Sequence, residues 1–180
     1  MLKIDGAKFI NTFKPISLTS MLRRCFEKIL LQTLSQGAYF KSVMTFSPLQ
    51  AGFRKGFSTL SHALLSNDAA HFGIKIRVFI DLIQAYDRVS IALLLQKLRE
   101  KNACLLLLSL IGALFTDCSS QVVINGVLSE SFTRKFGLFQ GSLLAPWLFD
   151  IYIDDVANCI AMLQDEDNPI LPGLFFADDI

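Results

Sequence analysis

Three aspartates in this chain follow apolar runs of the kind that form β-strands. Asp81 follows residues 77–80, and the neighbouring pair Asp178 and Asp179 follows residues 174–177. Two such strands lying side by side would gather the three carboxylates at one point. Because like charges a few ångströms apart repel strongly, such a cluster favours a bound hard cation, which prefers oxygen ligands. The pattern therefore predicts a metal site, and the alternative for the aspartate pair is a solvated turn.

The composition sets broad limits on function. The chain has 180 residues, enough for one domain or most of one, and 52% of them are hydrophobic. The net charge of +1 does not indicate a nucleic-acid-binding protein, but the charges are unevenly distributed. Basic residues dominate residues 1–60, whereas every charged residue from Asp150 onward is acidic. This favours a polyanion held by the N-terminal part and metal-dependent chemistry in the C-terminal part, with two solvated faces of an ordinary domain as the alternative.

The sequence indicates neither a zinc site nor a membrane span. The longest apolar run, residues 103–115, is shorter than the roughly 20 residues that a spanning helix needs, so it predicts a buried helix. The cysteines lack the spacing of metal ligands, and we interpret them as small buried side chains in a reducing, intracellular compartment: Cys25, Cys104, Cys118 and Cys159.

Hydrophobic periodicity and turn signals predict the elements that must position the aspartates. A nearly continuous apolar run over residues 74–82 predicts a strand buried on both faces. Asn125-Gly126 between two apolar runs predicts a β-hairpin whose return strand reaches Phe136. Helices are predicted over residues 20–35, 58–72, 90–102 and 103–115, and from residue 142 or 146 to 163.

The first predicted helix is amphipathic, so we expect its apolar side to pack on the core and its charged side to face solvent. The apolar side carries Leu22, Phe26, Ile29, Leu30 and Leu34, and the charged side carries Arg23, Arg24, Glu27 and Lys28.

Two glycine-containing segments carry polar residues. The loop at residues 46–60 holds Gln50 and Arg54 beside glycines that let the backbone approach a phosphate, with a plain surface loop as the alternative. The turn at residues 137–146 holds one polar side chain, that of Gln140, between glycines.

These segments together resemble the motifs of a known enzyme family. Residues 79–87, residues 137–146 and the Phe-Ala-Asp-Asp at 176–179 resemble three consecutive palm motifs of reverse transcriptases, in order and in spacing. Residues 14–18 and 50–59 resemble finger motifs of the non-LTR, LINE-type retrotransposon branch. Each motif alone is weak evidence, but five in the same order form a specific signal that covers nearly the whole chain.

The resemblance implies an α+β fold, namely a partial right-hand polymerase in which a small antiparallel palm sheet packs on helices. Residues 1–73 and 91–141 would form mainly fingers, and residues 74–90 and 142–180 mainly palm. The chain would then be a fingers–palm fragment that ends just after the Phe-Ala-Asp-Asp motif. The thumb and endonuclease regions of a parent polyprotein would lie outside it, so we expect weak or no activity from the isolated chain.

The resemblance also implies RNA-directed DNA polymerase activity, in which dNTPs are added to a primer 3′-hydroxyl. Asp81, Asp178 and Asp179 would bind two Mg²⁺ ions, or Mn²⁺ in their place. The implied partners are an RNA template, a DNA primer and dNTPs, with no membrane.

Five further residues would contact substrate. Tyr86 would lie beneath the sugar and exclude a ribose 2′-hydroxyl, and the alternative is a core tyrosine. Gln140 and Gly141 would border the incoming nucleotide and template. Lys14 would contact the triphosphate, and Arg54 would supply a further cation unless its role is structural.

Asp154-Asp155 imitates the terminal motif but falls within a predicted helix. Neighbouring side chains on a helix point about 100° apart, so this pair cannot share a metal, and we predict solvated or capping residues. The chain also departs from the family pattern at four positions. Lys14 and Phe57 stand where Arg is usual, Phe139 where Pro is usual, and Phe176 where Tyr is usual.

Three interpretations follow from the sequence. The first is a reverse transcriptase fragment, and the second is a catalytically inert retrotransposon remnant that keeps the fold and weak RNA binding. The third is an unrelated Mg²⁺-dependent enzyme whose aspartates match by chance.

Overall fold

The computed structural model describes residues 16–36, 45–47, 49–71, 78–161, 174 and 176. Within these ranges helices are combined with a run of short antiparallel strands, which confirms the predicted α+β class. The helices are α1 (Met21–Gln36), α2 (Thr59–His71), α3 (Ile91–Glu100), α4 (Leu105–Phe115) and α5 (Ala145–Ala161), and a single 3₁₀ turn covers Tyr86–Arg88. Each predicted helix is confirmed to within about three residues at its ends.

A two-stranded arm connects α4 to the turn before α5. Strand β1 (Cys118–Ser120) pairs antiparallel with β4 (Phe132–Arg134), and between them β2 (Val123–Ile124) pairs with β3 (Val127–Leu128). Asn125 and Gly126 have φ angles of +50° and +80°. Positive φ at both central residues is what a tight hairpin turn requires, so the hairpin prediction is confirmed.

The hydrophobic core lies where α3 packs against both α4 and α5. Ser90 is the N-cap of helix α3, and its side chain accepts a hydrogen bond from the Leu93 amide. Its apolar residues recur at helical spacing and therefore form one buried stripe. The core residues contributed by the three helices include Leu94, Leu98, Leu107, Ile111, Phe115, Leu148, Phe149 and Ile151.

Helix α1 buries part of the side that was expected to face solvent. Glu27 is 0% exposed, whereas Leu22 is 83% exposed and Ile29 is also exposed. The prediction is wrong for these residues because the Glu27 carboxylate bonds to the turn before α5, but it holds for Arg24 and Lys28, which are exposed. Only Leu30, Leu31 and Leu34 of its apolar residues pack partly against the core.

The predicted strand at residues 74–82 is not a buried strand in the part that the structure describes. Residues 72–77 lie outside that part, and the side chains of Val78, Phe79 and Ile80 are exposed. Single-residue β-bridges occur at Asp81 and at Phe176. An apolar strand is buried only when a ladder and a covering layer surround it, and residues 78–80 have neither among the described residues.

Two further burial predictions need correction. Helix α4 is not buried on all sides, because Leu105 and Leu106 at its start are exposed. The cysteines are free and mostly not buried: Cys25, Cys104 and Cys159 are exposed, and Cys118 is intermediate. No helix within residues 16–36, 59–71 and 91–161 is long and apolar enough to cross a membrane.

Candidate functional site

The segment after Asp81 lies against the segment before Gln140. The Leu138 amide donates to the carbonyl of Tyr86 at 2.8 Å, and the Gly137 amide donates to the carbonyl of Val89 at 2.8 Å. These main-chain bonds bring together two of the sequence motifs that are separated by about fifty residues. We call this contact the 86–138 junction.

Gly137 makes the 86–138 junction possible. Its φ is +91°, and a Cβ at this position would lie 2.8 Å from the Asp87 carbonyl oxygen. Real Cβ atoms do not come that close to a carbonyl oxygen, and L-residues rarely adopt this φ. The close approach therefore requires glycine.

Side chains extend the junction to the Gln140 turn. The Gln140 amide nitrogen Nε2 donates to Asp87 Oδ2 at 3.4 Å, and Arg134 Nη2 pairs with Asp87 Oδ1 at 3.3 Å. Asp87 thus links Gln140 to strand β4. Both contacts are at the long end of the hydrogen-bond range, so the amide is oriented rather than tightly bound.

The segment before α1 covers the same turn. The Ser17 amide donates to the Gln140 carbonyl at 3.2 Å, and Arg134 Nη1 donates to the Ser17 hydroxyl at 3.3 Å. Gly141 has a φ of +108°, and a Cβ there would lie 3.0 Å from the Ser17 carbonyl oxygen. The structure therefore brings Tyr86, Gln140 and Gly141 into one neighbourhood.

Tyr86 is half-buried at the edge of the core. Its ring stacks on that of Phe149 in α5, with centroids 4.8 Å apart and planes 14° from parallel. This contact fits a core tyrosine, and it also fixes the ring on a rigid helix, as a steric element near a substrate requires.

The Asp81 side chain is exposed, and within the described residues its carboxylate makes no hydrogen bond or ion pair. Asp178, Asp179 and Lys14 lie outside the described residues, so their predicted roles stay predictions. Among residues that the structure describes, no three possible metal ligands cluster. The Phe176 ring meets the His62 ring of α2 edge-on at 6.2 Å, close to the predicted carboxylate pair in sequence.

Arg54 is engaged within its own loop. Its Nη1 donates to the carbonyls of Ser47 at 3.0 Å and Gln50 at 2.6 Å, and its guanidinium lies 4.5 Å from the Phe57 ring centroid. These contacts favour the structural alternative for Arg54, and its binding to substrate stays a prediction.

Asp150 of α5 lies beneath this loop. It is buried, and its Oδ1 has no hydrogen-bond partner in the part of the chain that the structure describes. Burial raises the pKa of Asp150 to about 8, while the Arg54 charge opposes the shift and the Asp154 carboxylate adds to it. Asp150 is therefore mostly protonated near neutral pH in the folded chain.

The imitation motif Asp154-Asp155 is helical, as predicted, and its carboxylates bind different lysines of the α3 region. Asp154 pairs with Lys101 at 2.8 Å, and Asp155 pairs with Lys97 at 2.6 Å. Asp154 also accepts from the Ser47 amide at 2.7 Å and is buried, so the prediction of a solvated or capping residue is wrong for it.

Sequence reasoning missed three residues of this neighbourhood. Glu27 and Arg134 carried no signal that separates a buried charge from a surface charge, because their partners are more than forty residues away. Asp87 stood inside a quoted motif without a role. The Arg23–Glu27 spacing of four residues is a helix ion-pair signal, but such pairs are ordinarily exposed.

The match to known proteins agrees with these segments. The reverse transcriptase (RNA-dependent DNA polymerase) family matches residues 3–180. The match covers nearly the whole chain, so the chain belongs to the reverse transcriptase family.

Its relatives include two Drosophila melanogaster proteins of transposable elements. The "Probable RNA-directed DNA polymerase from transposon BS" is 28% identical, over 81% of this chain and 16% of that protein. The "Retrovirus-related Pol polyprotein from type-2 retrotransposable element R2DM" is 26% identical, over 99% of this chain and 17% of that protein. The chain thus spans about a sixth of the length of these relatives. They confirm the LINE-type branch, and the family match contradicts the interpretation as an unrelated enzyme.

Replacing Gly137 by alanine should destabilise the fold more than the same change at Gly126. Both glycines have positive φ, but a Cβ at Gly126 meets nothing within 4 Å. We expect Gly126→Ala to lower the free energy of unfolding by about 1 kcal/mol and Gly137→Ala by at least about 2 kcal/mol. Urea denaturation of both variants measures the difference, and equal losses would contradict the clash at the 86–138 junction.

Asp150→Asn should flatten the pH dependence of stability. Since the folded pKa is about 8 and the ordinary value is 3.8, the stability that protonated Asp150 allows is complete below 3.8 and is lost as pH rises through 8. The asparagine variant does not titrate, so its unfolding free energy should fall less between about pH 5 and about pH 8.5. Urea denaturation at both pH values is the measurement. Asp155→Asn, exposed on the same helix, should keep the slope of the unaltered chain.

Proposed function

We propose that this chain forms the nucleotide-adding part of an RNA-directed DNA polymerase, which joins dNTPs to a primer 3′-hydroxyl on an RNA template. The 86–138 junction supports this most directly. It brings the half-buried Tyr86 beside the Gln140 turn, and in the family both segments border the incoming nucleotide. The match over residues 3–180 already establishes the family, so the proposal concerns only the activity of the chain.

The carboxylate part of the site would be formed by Asp81, Asp178 and Asp179. Asp81 fits a hard cation because it is an exposed oxygen donor without a partner among the described residues. Two bound Mg²⁺ ions, or Mn²⁺, would activate the primer hydroxyl and neutralise the triphosphate. The three carboxylates would supply the negative charge and the oxygen ligands that bind these cations at one point.

The remaining predicted residues would orient the nucleotide. Tyr86, supported by Phe149, would pack beneath the sugar and exclude a 2′-hydroxyl. Gln140 and Gly141 would border the base and template, since a glycine lets the backbone approach closely. Lys14 would neutralise triphosphate charge, and Arg54 would do so only by leaving its contacts with its own loop.

The domain assignment follows the same proposal. Residues 1–73 and 91–141 would be mainly fingers, and residues 74–90 and 142–180 mainly palm. The relatives are about five to six times the length of this chain, and a thumb and an endonuclease would lie in regions outside it. A catalytically inert remnant with weak RNA binding is the second candidate, favoured by apolar Phe57 and Phe139 where the family usually has polar or turn-forming residues.

Primer extension on poly(rA)/oligo(dT) with Mg²⁺ tests the proposed activity. Asp178→Asn and Asp81→Asn should each reduce extension at least about 100-fold, because a metal ligand contributes several kcal/mol to transition-state stabilisation. Asp155→Asn, in the imitation motif, should extend like the unaltered chain. Extension that is sensitive to Asp178→Asn would exclude the inert remnant, and extension insensitive to it would falsify the metal assignment. Absence of extension by the isolated chain is expected of both candidates, because the thumb would lie outside it.

The role of Tyr86 is tested by sugar selection. Tyr86→Ala should lower the kcat/KM preference for dNTPs over rNTPs by on the order of tenfold or more, because the ring no longer blocks the 2′-hydroxyl. Tyr86→Phe keeps the ring and its stack on Phe149, so the preference should hold. If Tyr86→Ala lowers the melting temperature but leaves the preference for dNTPs over rNTPs unchanged, Tyr86 has only a structural role in the core.

A further inference from the structure

The Phe139 ring, immediately before Gln140, lies between two guanidinium groups. Arg23 of α1 is 4.4 Å from the ring centroid, and Arg134 of β4 is 4.8 Å from it. Arg23 also lies 4.9 Å from the Phe115 ring of α4. Phe139 is buried and both arginine side chains are partly buried, so these cation–π contacts are stronger than fully exposed ones.

Each arginine is paired with a carboxylate that also contacts the turn. Glu27 accepts from Arg23 Nε at 2.8 Å, and its other oxygen accepts from the Ser142 hydroxyl at 2.9 Å and the Leu143 amide at 2.7 Å. On the other side, Asp87 accepts from Arg134 and from Gln140. The turn at residues 139–143 is therefore held from two directions by charged groups.

The Arg23–Glu27 pair, in which Glu27 is fully buried and Arg23 partly buried, is not an efficient source of stability alone. Removing charged groups from water is unfavourable, and well-packed apolar residues of similar volume often serve stability equally well. Among the described residues, the buried Arg23 Nη2 has no hydrogen-bond partner, which adds to that cost. Unlike apolar residues, the pair supplies directional hydrogen bonds, because Glu27 Oε2 accepts from both the Ser142 hydroxyl and the Leu143 amide.

We infer that Arg23 and Glu27 are positioning residues for the Gln140 turn and thereby for the incoming nucleotide. Glu27 holds the end of the turn through Ser142 and Leu143. Arg23 holds Phe139 at its start, and Gln140 lies between these two anchors. The inference rests on the proposed function, because it assumes that the Gln140 turn contacts a dNTP.

A double substitution separates positioning from packing. Arg23→Met/Glu27→Leu removes both charges and keeps similar volumes, so the melting temperature should stay close to that of the unaltered chain. Binding of labelled dGTP in the presence of Mg²⁺, measured by equilibrium dialysis, should weaken on the order of tenfold because the turn is no longer fixed. The matched control is Lys97→Met/Asp155→Leu, which removes an ion pair between α3 and α5 with the same change in net charge and should bind dGTP like the unaltered chain.

Amide exchange of Leu143 distinguishes the two ways in which the idea can fail. Faster exchange in the double variant, with α3 amides unchanged, is expected from loss of the Glu27 anchor. If Leu143 exchanges faster but the unaltered chain does not bind dGTP, the proposed function fails and the positioning of the turn stands. Unchanged Leu143 exchange, or unchanged dGTP affinity in a chain that binds it, overturns the positioning role. If the double variant does not fold, Glu27→Gln carries the same two measurements and the same criteria.

Discussion

The close approach of the backbone at residues 137–138 to that at residues 86–89 is the constraint on which the site depends. Only a residue without a Cβ fits at Gly137, where the nearest carbonyl oxygen would be 2.8 Å from a side-chain carbon. Once the approach is made, the peptide groups bond directly, and the chain on either side has little freedom. Tyr86 is then fixed at the edge of the core, and the turn that carries Gln140 begins at a defined point.

Charged groups inside this protein connect loops to helices, whereas the apolar core connects helices to one another. Glu27 bonds to the turn at residues 139–143, and Asp154 bonds to the Ser47 amide while pairing with Lys101. A loop exposes backbone N–H groups that apolar side chains cannot satisfy, so a buried carboxylate is an effective anchor for it. The core of α3, α4 and α5 supplies the rigid surface on which these anchors stand.

Local signals explain what could be predicted from the sequence. The helix predicted over residues 90–102 and the Asn125-Gly126 turn depend on neighbours within a few residues, and both are found as predicted. The burial of Glu27 depends on partners more than a hundred residues away, which periodicity does not encode. The apolar face of α1 was misassigned for that reason. The exposure of residues 78–80 has the same cause, because strand burial is decided by neighbouring strands and layers rather than by the run itself.

The acids near the site have distinct chemical states, and this narrows which of them can hold a cation. Asp87 is occupied by Arg134 and Gln140, so a cation there would have to displace both. Asp150 is kept mostly neutral near pH 7 because burial raises its pKa to about 8, and a neutral carboxyl group is a weak ligand for a hard cation. Asp81 is exposed and makes no hydrogen bond among the described residues. Of these three acids, Asp81 is therefore the one whose charge and lone pairs are free for metal binding, which is the role that its place in the motif predicts.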